Sequence, residues 1–286
     1  MVANPVLDPT KDQVSTGRLQ GKVAIVIGAG QTPGETVGNG RATALLFARE
    51  GARVVAVDRD LESAQQTAAL ITAEGGVALS ARADVLVEAE IEAVVALAVQ
   101  TWGRVDILHN NVGVSVMGGD APVLDIDADD FTRVVDINLR GMVLASKHVI
   151  PVMQRQGGGA IINISSNAVI TSYPYIAYKT SKAGVIALTE NIALTHARDG
   201  IRANAILPGL MDTPMAVERK IGVDGATRDD VLAARTARTP LTHSGTAWDV
   251  ARAALFLASE DAAFITGVAL VVDGGQSLVS GGDFAG

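Results

Sequence analysis

The run YIAYKTSKAG at 175–184 holds two tyrosine–lysine pairs spaced four apart, Tyr178 with Lys182 and Tyr175 with Lys179. On a helix that spacing puts both side chains on one face. The pairing has a chemical use. A phenol titrates near ~10 and is a poor base at neutral pH. An ammonium beside it favours the phenolate. Lowering the pKa by about three units amounts to roughly 4 kcal/mol. Such a group can take a proton from an alcohol or return one to a carbonyl oxygen.

A second chemical signal lies near the start of the chain. The apolar run KVAIVIG at 22–28 leads into a turn crowded with Gly28, Gly30, Gly34, Gly38 and Gly40, and then into an Ala-rich segment. Glycine lets a backbone approach a pyrophosphate closely, and a helix N-terminus offers free N–H groups and partial positive charge. Asp58 closes the next apolar run, 18 residues after Gly40. A carboxylate there accepts both ribose hydroxyls of an adenosine and repels a 2′-phosphate. That favours NAD; NADP stays as the lesser expectation, since Arg59 follows at once and could meet a 2′-phosphate.

These groups need a scaffold that brings distant segments together. Short apolar runs at 22–28, 53–58, 77–81, 105–109, 160–164, 201–207 and 268–272 read as strands covered on both faces. Helical segments are expected at about 39–50, 60–74, 87–102, 128–156, 175–198, 214–235 and 246–258. Sustained strand–helix alternation implies right-handed crossovers. The expected fold class is α/β, a Rossmann-type doubly wound parallel seven-stranded sheet in a single domain. Residues 1–20 are expected to form a flexible arm and 21–286 the domain, with a substrate-side insertion at about 214–243.

Composition narrows the function. The 286 residues are 48% hydrophobic and carry a net charge of −8 without a basic stripe, so no nucleic-acid partner is expected. The chain has no cysteine, and its four histidines do not pair at metal-ligand spacing, so no metal is expected. The N-terminus lacks a secretory pattern. The longest uncharged stretch, Gln156 to Tyr178, is full of Gly, Ser, Asn and Pro, which excludes a membrane span there. A cytoplasmic protein without membrane partners is the expectation.

Several further motifs follow in order: Ala83-Asp84-Val85, Asn110-Asn111-Val112-Gly113, DINLRG around Asn138, NISS at 163–166, Pro208-Gly209 with Thr213, and ITGVALVVDGG at 265–275. With the glycine turn and the tyrosine–lysine run, this set resembles the short-chain dehydrogenase/reductase family over about residues 20–275. The branch resembled includes 3-oxoacyl-carrier-protein reductases. The resemblance implies hydride transfer between a nicotinamide cofactor and a secondary alcohol or ketone.

The resemblance also distributes roles. It favours Tyr178 over Tyr175, because Ser181 and Ala183 flank Lys182 as the family pattern requires. It implies that a serine polarises the substrate oxygen. Aligning the strand-end motif selects Ser166, with Ser165 as a turn residue. It implies that Asn138 kinks its helix and holds a water linking Lys182 to solvent. The catalytic set is thus Asn138, Ser166, Tyr178 and Lys182. Gly28, Gly38, Asn39 and Gly40 would hold the diphosphate and Asp58 the ribose. Asp84 and Val85 would flank adenine, and Asn110 would meet the adenosine ribose. Tyr178, Lys182, Met211 and Thr213 would meet the nicotinamide side.

Departures from the family pattern are local. Ile27 takes the usual Thr place, and Gly28 and Gly38 stand ten positions apart where the family has four, so six extra residues adjoin the phosphates. Asn39 and Val112 replace the usual Ile and Ala. Met142, Val169, Tyr173, Tyr175 and Met215 suggest an apolar or aromatic substrate. Apolar surplus on helices 128–156 and 175–198 suggests a homotetramer, since the family pairs these two helices across a two-fold axis. Two other functions share the fold: a non-redox dehydratase or epimerase, and a catalytically silent binding protein.

Overall fold

The computed structural model describes residues 8, 17–217, 221 and 227–279. Among the described residues, seven of the nine strands form one parallel sheet: β1 (Val23–Ile27), β2 (Arg53–Asp58), β3 (Val77–Arg82), β4 (Ile107–Asn110), β5 (Gly159–Ile164), β6 (Ile201–Pro208) and β9 (Ala269–Val272). Their order is β3-β2-β1-β4-β5-β6-β9. All seven lie where the sequence reading puts a strand. The central ones are Val- and Ile-rich because helices cover both faces, so neither face needs polar residues. The α/β fold class and the seven-stranded sheet hold.

One helical layer contains α1 (Asn39–Arg49), α2 (Leu61–Ala73) and α8 (Ala247–Ala258), with Phe47, Ile71 and Trp248 buried against the sheet. The other contains α3 (Glu88–Trp102), α5 (Gly141–Gln156) and α6 (Ile176–His196), with Ile91, Met153 and Ile192 buried. Chain direction across the sheet reverses between β1 and β4. Both strands end at the same edge, so their turns splay apart and open a crevice there.

Three expectations are revised. The helix expected over 128–156 is α4 (Ala128–Val135), a π turn (Asp136–Arg140) and α5. The apolar period runs on through the π turn, which conceals the break from pattern reading. The helix expected over 214–235 is only α7 (Arg228–Thr236) among the described residues; 214–217 form a turn. A capping box between Thr227 and Asp230 starts α7 late. Finally, residues 17–20 are no loose arm. Leu19 is fully buried, and its N–H donates to the Glu50 carbonyl at 2.9 Å. Residue 8 apart, the rest of the expected arm lies outside the described residues, as does the 280–286 tail.

The short parallel pair β7 (Met211–Asp212) with β8 (Gly245–Thr246) clasps the base of the 213–244 segment. No described helix is long and apolar enough to cross a membrane. No group of three His, Cys, Asp or Glu converges as a metal site among the described residues.

His109 sits inside this core on β4. It is fully buried, edge-on to Phe47 at 6.1 Å, and neither ring nitrogen has a partner among the described residues. Burial pushes its pKa down to about 3. The unfolded chain binds a proton on this ring at about 6.5 whereas the fold resists it, so stability falls as pH drops below the unfolded value. Between about pH 7 and about pH 4.5 this one residue costs about 2–3 kcal/mol. His109→Leu is therefore expected to flatten the acid side of the stability profile by that amount, as read by urea unfolding. Parallel profiles for the two proteins would refute it.

Candidate active site

The crevice is a cleft of about 610 Å³ running from the glycine turn to Ser166, Tyr178 and Lys182. At one end, β1 passes into Gly28, whose φ of +83° and nearness to Val112 leave no room for a side chain. Gly40 is tighter: a Cβ there would meet the Gly28 carbonyl. The α1 N-terminus thus lies flat on the turn. Its N-cap, Gly38, has no side chain to occupy the free N–H groups. Asn39 lines the cleft, and its buried Oδ1 has no partner among the described residues. An uncapped helix start and a glycine cradle fit a dinucleotide diphosphate.

The six extra residues fold around Gln31. Its Nε2 donates to the Thr36 carbonyl at 2.7 Å, and its Oε1 accepts from Gly38 N–H at 2.9 Å. Glu35 reaches Arg228 of α7 at 3.6 Å, and Arg228 reaches Asp212 at 3.0 Å. The insertion therefore ties the glycine turn to the segment across the cleft mouth. Asp58 lines the cleft at the end of β2. Its Oδ2 accepts from Gly30 N–H at 3.0 Å and its Oδ1 from Asp60 N–H at 3.1 Å. Asp58 is thus a brace for the turn. Asp84 and Val85 line the same wall.

At the other end, β5 stops at Ile164 and the two serines diverge. Ser165 turns inward and donates to the Lys182 carbonyl at 2.7 Å. Ser166 lines the cleft beside Tyr178 and accepts from Ala168 N–H at 3.1 Å. Lys182 is buried and donates to the Ile164 carbonyl at 2.7 Å, with its Nζ 5.7 Å from the Tyr178 ring centre. The competing pair does not assemble. Tyr175 is the N-cap of α6, outside the helix, and Lys179 donates to the Thr171 carbonyl at 2.7 Å.

Burial dominates the electrostatics. It pushes the Tyr178 phenol up, the Ser166 hydrogen bond opposes the rise, and the Asp120 carboxylate adds to it. Burial also pushes the Lys182 ammonium down to about 7. The expectation that lysine lowers the phenol meets a larger opposing cost, since a dry pocket disfavours both charged forms.

Asn138 sits in the π turn, fully buried. It brackets Val114, accepting from its N–H at 2.7 Å and donating to its carbonyl at 2.8 Å, and also donates to Ser181 at 3.0 Å. A Cβ on Gly113 would stand 3.0 Å from Lys182 Nζ and 3.5 Å from Asn138 Oδ1, so both groups border that glycine. Met211 and Thr213 line the cleft beyond Pro208 and Gly209. Asn110 does not join them. It is buried and donates to Asn163 Oδ1 at 2.8 Å, because strand alternation turns it into the sheet. Asn111 takes the cleft position and holds the Gly28 carbonyl at 3.1 Å. Gln31, Asn111 and the buried Arg235, which donates to the Met211 carbonyl at 2.8 Å, were missed by sequence reasoning. Of these, only Asn111 had a signal, as the second residue of a strand-end Asn-Asn.

A family model described as enoyl-(acyl carrier protein) reductase matches residues 35–277. A 2-(R)-hydroxypropyl-CoM dehydrogenase of Xanthobacter autotrophicus is 38% identical over 260 residues, which cover 90% of this chain and 99% of the relative. The crystal structure of a short-chain dehydrogenase/reductase from Burkholderia xenovorans superposes with TM-score 0.83 at 43% identity, covering 93% of this chain and all of that one. A 7α-hydroxysteroid dehydrogenase complexed with NADH and 7-oxo glycochenodeoxycholic acid gives TM-score 0.81 at 34% identity, covering 91% and 96%.

Proposed function

As the chain belongs to the short-chain dehydrogenase/reductase family and is a nicotinamide-dependent dehydrogenase of CH–OH groups, we propose that it oxidises an apolar secondary alcohol with NAD, or runs the reverse. The observation that carries this reading is the cleft itself. A glycine cradle with Asp58 stands at one end, and Ser166, Tyr178 and Lys182 stand together at the other. When bound, the nicotinamide supplies the hydride acceptor or donor.

The residues do the rest. Ser166 donates to the substrate oxygen and fixes its place. Tyr178 removes the hydroxyl proton during oxidation and returns it during reduction. In its protonated form Lys182 places positive charge near the phenol, which lowers the cost of the phenolate. Asn138 keeps the Val114 backbone and Ser181 in place behind the lysine. Gly28, Gly38, Asn39 and Gly40 receive the diphosphate, Asp58 the ribose, Asp84 and Val85 the adenine, and Met211 and Thr213 the carboxamide. A panel of secondary alcohols, followed by nicotinamide absorbance with NAD and NADP, tests the reading. No hydride transfer with any member, despite NAD binding, would favour a non-redox enzyme.

NAD preference rests on Asp58. Asp58→Ala is expected to weaken NAD about tenfold or more, because ribose acceptance and the Gly30 brace are lost together. NADP should gain relative to NAD, since a 2′-phosphate no longer meets a carboxylate. Calorimetric titration checks both; tighter NADP binding by the parent would instead give Arg59 the leading role.

The substrate class follows from the walls near Tyr178. Tyr173 packs 5.4 Å from the Tyr178 ring, and Met215, half exposed, borders the cleft. Assembly as a homotetramer has partial support. Most apolar residues of α5 and α6 are buried within the chain, yet Leu194, Phe264 and Leu278 stand exposed at 82%, 105% and 84%. Side chains of that size left in water favour subunit contact. Light scattering should give about four times the 29.4 kDa chain mass, and a single-chain mass would end this reading.

A further inference from the structure

The helix that carries Tyr178 starts without a cap of its own. Tyr175, its N-cap residue, offers no side-chain acceptor. A helix start leaves backbone N–H groups that need partners when buried. Here they come from the loop after β4. Asp120, 5% exposed, accepts from Ala177 N–H at 2.8 Å through Oδ1 and from Tyr178 N–H at 3.0 Å through Oδ2. Ile176 N–H donates to the neighbouring Ala121 carbonyl at 3.1 Å.

The same carboxylate ends a second chain of bonds. Ser115 donates its hydroxyl to Asp120 at 3.2 Å, and Ser115 Oγ lies 2.8 Å from the Tyr173 hydroxyl. A serine has one proton, and Asp120 receives it, so Tyr173 is the donor to Ser115. Burial pushes the Tyr173 phenol up to about 12, which keeps that proton on Tyr173 through the working range. The Tyr173 ring is thereby held against the Tyr178 ring.

We infer that Asp120 is a positioning residue: it replaces the missing cap of α6 and, through Ser115, fixes Tyr173. One carboxylate then sets both the placement of the Tyr178 hydroxyl beside Ser166 and one wall of the substrate pocket. The functional half of this inference rests on Tyr178 as the proton-transfer group. The groups facing Tyr178 are Lys182 on α6, Tyr173 and Ser166 from the β5–α6 connection, and Asp120 from the β4 loop. Beside Asp120, the Asp130–Arg133 pair of α4 lies against Gly118 and Gly119. The charge of Asp120 opposes ionisation of Tyr178, whereas an ammonium on Lys182 favours it on general grounds.

Asparagine at position 120 keeps an acceptor oxygen and removes the charge; alanine removes both. The chain has only three tyrosines, at 173, 175 and 178. In a Tyr173→Phe, Tyr175→Phe background, the ultraviolet absorbance of phenolate therefore titrates Tyr178 alone. Adding Asp120→Asn is expected to move that midpoint to lower pH. In the otherwise unaltered chain, Asp120→Asn should move the same way the limb of kcat that Tyr178 sets, the rising limb in alcohol oxidation and the falling limb in carbonyl reduction. Asp120→Ala should lower kcat about tenfold or more while NAD affinity stays within about threefold. An unmoved midpoint, with kcat falling only as the folded fraction falls, would reduce Asp120 to a stabilising residue and overturn the inference. A midpoint that moves while the rate limb stays put would instead remove Tyr178 from proton transfer and leave the Asp120 placement standing. Should the alanine variant fail to fold, the asparagine variant carries both measurements.

Discussion

Tyr178→Phe is expected to abolish turnover, a loss of at least about 10³-fold, while NAD affinity stays within about threefold. The ring remains, so its packing against Tyr173 remains. What goes is the hydroxyl that meets Ser166. No neighbour can take over. The Tyr173 hydroxyl is committed to Ser115, and Tyr175 lies outside the helix at its N-cap. Lys182 is committed to the Ile164 carbonyl. Tyr175→Phe should be mild by comparison, and a dead Tyr175→Phe with an active Tyr178→Phe would reverse the choice between the overlapping pairs. The pH dependence follows from the same geometry. Because burial raises the phenol, alcohol oxidation should gain rate as pH rises and carbonyl reduction as it falls. Initial rates in both directions across a pH series check the sign.

That choice shows where sequence stops being informative. Tyr178–Lys182 and Tyr175–Lys179 are the same pair by spacing, and only the start of α6 at Ile176 separates them. Family resemblance picked out Tyr178 without knowing of that boundary. The strands were legible for a plainer reason: a parallel strand under helices on both faces is a run of Val and Ile bounded by polar turns. The π turn at Asn138 was not, since an extra backbone residue in a helix leaves the apolar pattern nearly intact. The Asn110 side chain bonds Asn163 while the next residue, Asn111, lines the cleft, a change of face that one position in a strand brings and the motif alone does not show. Asp120 and Gln31 could not have been found. Each is a polar loop residue, and Asp120 acts on partners 57 and 58 positions away, beyond any local pattern.

The two serines at the end of β5 give the second large effect. Ser166→Ala is expected to cut kcat by roughly 10²-fold or more, since it deletes a donor aimed where negative charge develops on the substrate oxygen. It also removes the neighbouring hydroxyl that favours ionised Tyr178, so the pH limb that Tyr178 sets should move to higher pH in either direction of reaction. Both effects act on the reacting atoms, and NAD affinity should hardly change. Ser165→Ala touches neither. Its hydroxyl is buried against the Lys182 carbonyl, so its loss leaves an acceptor short of one donor. The expected cost is stability, about 1–2 kcal/mol, with kcat within about fivefold. Steady-state kinetics beside thermal unfolding separate the two variants. A Ser165→Ala enzyme that keeps its melting temperature and loses its rate would move the oxygen-binding role one residue back.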